Sequence, residues 1–293
     1  MRNLACLSAY QETYVAPHGG RPPEPPELPA GADPAPPWPV WYAPVGFLAG
    51  FAITLVVSAV AGIIAAAAGA DIEDTPPELV LVLTLLQAVI LSGTAIWLAG
   101  RTRKPRAWHF GLRRARFWPS VGWAALGLAS FFVFVIIYSA LLTPEGDQSV
   151  TEDLGADEST LALVAAGFVV IVVAPVAEEF FFRGFFYRAL RTRLGVLSAA
   201  AIGGLVFGLI HFTGPDTLEL LPILGALGFM FCLVYEKTGT LYSVIGLHAF
   251  NNSIAYGVET ENAAVSVVLG SIMLLACIAG PRFLHSTPAA AHA

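Results

Sequence analysis

The sequence predicts an all-α, polytopic membrane helix bundle with about eight transmembrane helices, on three observations. Of 293 residues, 56% are hydrophobic and 12% charged, against roughly 25% charged in an ordinary soluble domain. The mean hydropathy of +0.71 is too high for one core beneath a wettable skin of Lys, Glu, Asp and Arg. From Val45 onward, apolar stretches recur, each close to the about 20 residues that cross a bilayer as a helix. They are too long for barrel strands, and in lipid the backbone must satisfy its own hydrogen bonds, which leaves helices. A soluble globular enzyme is excluded. So is a nucleic-acid binder, since 15 basic and 21 acidic residues give a net charge of -6 rather than a basic surface.

Along the chain, residues 1–44 differ from the rest. Ten of the 21 prolines fall between Pro17 and Pro39, in runs such as Pro22-Pro23-Glu24-Pro25-Pro26. A segment with no apolar period to bury is expected as an extended, disordered cytoplasmic tail. Met1 to Gly20 lacks the apolar run of a secretory signal. The bundle is expected over 45–282, with spans near 45–69, 79–99, 119–142, 161–187, 196–213, 220–235, 239–258 and 263–280, followed by a short cytoplasmic tail at 283–293. Cys6, Cys232 and Cys277 show no CxxC spacing, so no disulfide framework or thiolate metal site is expected.

The connections set an orientation. Arg101, Arg103, Lys104, Arg106, Arg113, Arg114 and Arg116 lie between spans 2 and 3 without an acid, Arg188, Arg191 and Arg193 follow span 4, Lys237 follows span 6, and Arg282 closes span 8. The alternate connections carry acids, among them Asp71, Glu78, Glu152, Asp157, Asp216, Glu219, Glu259 and Glu261. Basic connections stay cytoplasmic, which places both termini in the cytoplasm of a multi-pass cell-membrane protein.

Against this background the informative residues are those that a bilayer penalises, by about 2.5–3.5 kcal/mol for an ion at mid-helix. Span 4 carries Glu178, Glu179 and Arg183; span 5 carries His211; span 7 carries His248, Asn251 and Asn252. At about 1.5 Å per residue from the basic anchors, Glu178, His211 and Asn252 lie roughly 20–22 Å along their helices and His248 about 16 Å. They are therefore expected to converge on one polar cavity. Glu179 and Arg183, four apart and acid first, are spaced for an ion pair, which leaves Glu178 as a general base. Pro175 removes the backbone bond to Ile171, one turn before the acids. His248 and Asn252, also four apart, suit two donors directed at one oxyanion. His211, flanked by Phe207, is expected to share a proton with Glu178. The phenylalanines from Phe180 to Phe186 are expected to pack or to face lipid.

Taken in order, EExxxR (Glu178, Glu179, Arg183), FxxxH (Phe207, His211) and HxxxN (His248, Asn252) resemble the CAAX-processing and bacteriocin-processing (CPBP, or Abi) family of intramembrane proteases. Phe182-Arg183-Gly184 is similar to the bacterial form of its first motif. The likeness covers 161–258 as the catalytic core. It implies hydrolysis of a peptide bond in a membrane-associated protein or peptide, by water that Glu178 activates with His211. His248 and Asn252 would stabilise the oxyanion, and Glu179 with Arg183 would support the site. Such members have been described both as glutamate-dependent and as metalloproteases. A metal-free site is expected here, with zinc on Glu178, His211 and His248 as the alternative, although no HExxH is present. The Ala-rich and Pro-rich composition looks bacterial, where prenylated CAAX substrates are not expected, so the substrate stays open.

Two other functions share these residues. A proton-coupled transporter also needs Glu and His at mid-membrane, but the inverted repeats usual in transporters are reduced here to a short likeness between Gly208–Phe212 and Gly246–Phe250. A non-catalytic immunity or scaffold protein could keep the fold.

Overall fold

The computed structural model describes residues 35–69, 75–144 and 150–284. Residues 1–34 of the proline-rich tail and the C-terminal residues from 285 lie outside the described residues. Eight helical segments follow one another: α1 (Tyr42–Ala67), α2 (Pro77–Gly100), α3 (Phe117–Leu142), α4 (Thr160–Arg191), α5 (Val196–Leu209), α6 (Leu221–Thr238), α7 (Leu241–Glu259) and α8 (Ala263–Leu284). No strand occurs among the described residues.

Six of the eight, all but α5 and α7, are long and apolar enough to cross a membrane, and the protein is a multi-pass membrane protein. The other two depart from the expected count for physical reasons. Helix α5 has only 14 residues, about 21 Å at the α-helical rise, and stops at Leu209 instead of running to 213. Helix α7 has 19 residues but spends its middle on His248, Asn251, Asn252 and Ser253.

Even so, the eight segments alternate in direction. Thr102, just after α2, has its hydroxyl 3.5 Å from that of Tyr42 at the start of α1. Arg191, at the end of α4, grips Glu236 near the end of α6 through Nε (3.1 Å) and Nη2 (2.8 Å). At the opposite end, Tyr138 Oη donates to the Glu219 carbonyl before α6, and Thr151 Oγ1 donates to Glu259 Oε1 at the end of α7. Among the described residues, the basic connections thus share one end of the bundle, and Glu219 and Glu259 lie at the other.

Local chemistry sets several boundaries. Ser159 caps α4 by accepting from the Ala162 amide at 3.1 Å, as short hydroxyl side chains do at N-termini. Gly239, at φ 65°, ends α6 in the left-handed conformation, and Thr240 then caps α7. The tail boundary expected at residue 44 moves earlier. Trp38 is buried and donates from Nε1 to the Phe185 carbonyl, with its ring against Phe110 and Phe185. The reason is bulk, because an indole brings enough apolar area to fold the chain before α1 onto the bundle.

Helix α4 runs through the centre. Every residue from Phe181 to Leu190 is buried, so the aromatic run packs inward. By contrast, α1 and α3 present large apolar side chains outward, such as Leu55, Val56, Ile136 and Leu141, as lipid-facing helices must. Helices α5 and α6 make the closest crossing. A Cβ on Gly204 would stand 2.6 Å from the Gly225 carbonyl oxygen, and one on Gly208 2.7 Å from that of Leu221, so only glycine lets the two backbones meet.

Candidate active site

Helix α4 is not a continuous α-helix. Two π-helical stretches, Val169–Val173 and Phe180–Tyr187, bracket the α-helical turn Ala174–Glu179 that carries both acids. Pro175 accounts for the first. Without an N–H it leaves a carbonyl one turn earlier unsatisfied, and inserted π turns relieve such defects. The Ala174 amide bonds to the Val169 carbonyl, a spacing of five, so the unpaired carbonyl is shifted to Val170. Asn252 of α7 fills that vacancy, donating from Nδ2 to the Val170 carbonyl at 2.9 Å.

The ion pair implied by the spacing forms. Arg183 Nη1 lies 2.8 Å from Glu179 Oε1, with both side chains fully buried. Arg183 also donates from Nη2 to the Gly228 carbonyl at 2.9 Å. Its guanidinium stands 4.6 Å from the Phe207 ring centroid and 5.1 Å from that of Phe231, a cation–π setting that replaces part of the lost hydration.

The same Glu179 Oε1 meets His248 Nδ1 at 2.8 Å. A carboxylate only accepts, so Nδ1 carries the hydrogen and a neutral His248 leaves Nε2 as a bare acceptor. That Nε2 lies 4.0 Å from Glu178 Oε2, beyond hydrogen-bonding reach. Glu178 Oε2 is buried without a hydrogen-bond partner.

Two expected contacts differ. His211 sits beyond the end of α5, where its Nδ1 lies 2.7 Å from the Phe207 carbonyl and caps the last turn. No hydrogen bond joins it to Glu178. Instead Phe207 separates the two imidazoles, at 4.9 Å from His211 and 5.9 Å from His248 between ring centroids. His248 and Asn252 share a face, yet each spends one donor elsewhere, on Glu179 and on Val170. Asn252 keeps its second amide hydrogen, and Asn251 only approaches Asn252 Oδ1, at 3.5 Å.

The zinc alternative has suitable chemistry, because imidazoles with Nδ1–H held by an acceptor are commonly metal-ready at Nε2. The placement does not follow. Among the described residues no group of three His, Cys, Asp or Glu side chains is gathered to hold an ion. The Gly228 and Val170 carbonyls and the Phe231 ring, 5.0 Å from His248, were not among the expected site groups. Backbone carbonyls leave no mark in a sequence.

Comparison with known proteins converges on the same region. Residues 160–254 match the family model described as "Type II CAAX prenyl endopeptidase Rce1-like". Over 113 residues the chain is 32% identical to "Uncharacterized protein YyaK" of Bacillus subtilis (strain 168), covering 35% of this chain and 36% of that protein. It is 24% identical over 112 residues to "Putative membrane peptidase YdiL" of the same organism, covering 35% and 44%. The chain thus spans less than half the length of these curated relatives. No solved structure matches. The matched segment holds both acids, Arg183, both imidazoles and Asn252. Residues 160–254 are thus similar to type II CAAX prenyl endopeptidases of the Rce1-like family.

Proposed function

We propose that the protein is an intramembrane endopeptidase that hydrolyses a peptide bond of a membrane-associated protein or peptide, with both termini in the cytoplasm. One observation carries the reading: two adjacent carboxylates are given opposite circumstances. Glu179 is fully buried and held through Oε1 by both Arg183 and His248, whereas the Glu178 side chain is partly exposed and its Oε2 stands 4.0 Å from His248 Nε2 without a hydrogen bond. Splitting a pair of titratable groups in this way is how sites assign different tasks to them.

In the proposed reaction a water enters at the partly exposed Glu178 carboxylate and lies within reach of His248 Nε2. Glu178 takes one proton as the water oxygen attacks the carbonyl carbon, while His248 Nε2 accepts the hydrogen bond of the other and fixes its direction. Asn252 offers its remaining amide hydrogen to the oxyanion. As the C–N bond breaks, Glu178 returns the proton to the leaving amine. Glu179 and Arg183 hold His248 in its tautomer, and His211 Nε2 supplies a second acceptor at the rim of the site.

The test uses purified protein in lipid nanodiscs and quenched-fluorescent peptides bearing one acyl anchor. Glu178→Gln, which keeps shape and removes the base, should lower cleavage by at least about 100-fold, the lower range for a general base, with thermal unfolding unchanged. Unimpaired cleavage by Glu178→Gln would remove the proposal.

A further inference from the structure

We propose a second site, independent of proteolysis: a groove at the basic end of the bundle that binds one anionic phospholipid, headgroup at the rim and acyl chain inside. The groove has a volume of about 760 Å³ and lies between α3, α6, α7 and α8. Its rim carries four cations, Arg114, Arg116, Lys237 and Arg282, and no Asp or Glu lines it, although acids outnumber bases in the chain. Below the rim the wall is apolar, from Leu128, Leu247, Phe250, Leu274 and Ile278. A charged ring above an apolar slot matches a phosphodiester with a tail, and a basic pocket between membrane helices is a recurrent form of headgroup recognition.

Two details make it a built site rather than a chance cluster. Lys237 Nζ stands 5.1 Å from the Trp123 ring centroid, and the Arg282 guanidinium 5.8 Å from that of Phe117. The aromatic faces keep both charges over the mouth. Behind them, Arg113 Nε donates to the Gly239 carbonyl at 2.6 Å and Thr240 Oγ1 to the Arg113 carbonyl at 2.7 Å, which clamps the basic connection to the α6–α7 turn. Backbone dipoles contribute little net field, because α3 and α7 begin here while α6 and α8 end. The side-chain cations therefore set the sign.

The groove also stands clear of the catalytic residues. At about 100° per residue, Gly246 and Phe250 lie about 160° around α7 from His248. Lipid and peptide would thus occupy opposite sides of one helix, and the lipid site can be tested without an activity readout.

Full-length protein would be titrated by native mass spectrometry with palmitoyl-oleoyl phosphatidylglycerol, phosphatidylcholine, or soluble glycerol phosphate. One phosphatidylglycerol should be retained in preference to phosphatidylcholine, and glycerol phosphate should fail to displace it. Lys237→Gln with Arg282→Gln should weaken retention about 30-fold, at about fivefold per surface cation. Ser243→Phe fills the groove without altering charge and should also abolish retention, which keeps the test valid if the double variant unfolds. Equal retention of both lipids, full displacement by glycerol phosphate, or unchanged binding in Ser243→Phe would overturn the proposal. Loss of peptidase activity alone would bear only on the reading of the catalytic site.

Discussion

Replacing Arg183 by Met removes a fully buried cation from Glu179 at nearly constant volume. The guanidinium also leaves the Gly228 carbonyl and the faces of Phe207 and Phe231. Glu179 is then a buried carboxylate whose remaining partner is His248. Breaking one side of such a pair costs about 3–5 kcal/mol, whereas removing both charges together is often close to neutral. Glu179→Gln alone should cost a similar amount, since it strands Arg183. The double variant should recover to within about 2 kcal/mol of the parent, because a Gln Oε1 still accepts from His248 Nδ1 and no buried charge is left over. The assay is unfolding in mixed micelles titrated with dodecyl sulfate and followed by tryptophan fluorescence, with all four proteins forming a double-mutant cycle. Additive losses, or a cost below about 1 kcal/mol for Arg183→Met, would refute this account of the pair.

Other perturbations separate scaffold from chemistry. Asn252→Ala should cost about 1–3 kcal/mol by leaving the Val170 carbonyl without a partner, and Asn252→Asp, which has no donor, should not rescue it; stability equal to the parent in either would contradict the capping role. Gly208→Val should destabilise by about 1–3 kcal/mol through overpacking, since its Cβ has a backbone oxygen at 2.7 Å; an unchanged melt would mean that the crossing can open freely. Treatment with 1,10-phenanthroline should leave peptide cleavage intact, and a loss that zinc restores would replace the metal-free reaction.

The sequence was most informative where a bilayer penalises error. Charged connections lie outside the apolar runs, so they reported the alternating direction of the helices independently of span length. The Glu179–Arg183 pair was legible for a related reason, as two ions four residues apart in lipid have few alternatives to each other. What could not be read was any partnership through the backbone. Phase on an ideal helix puts the Pro175 defect at Ile171, but the π turn shifts it by one residue to Val170, and only the structure shows Asn252 answering it. The Phe207 carbonyl contact of His211 is hidden likewise, because an apolar run continuing to 213 conceals the end of α5. Gly214-Pro215, just beyond, was the available sign of a break.

The early end of α5 has a consequence for the surrounding lipid. A rod of about 21 Å cannot fill a hydrocarbon layer about 30 Å thick, which leaves a shortfall of about 9 Å beside His211. Thinning is one response of a bilayer to such mismatch, and it would bring headgroups and solvent toward the turn after Leu209. The proposed hydrolysis consumes a water that oil would exclude, and the early end of α5 would shorten that reagent's descent.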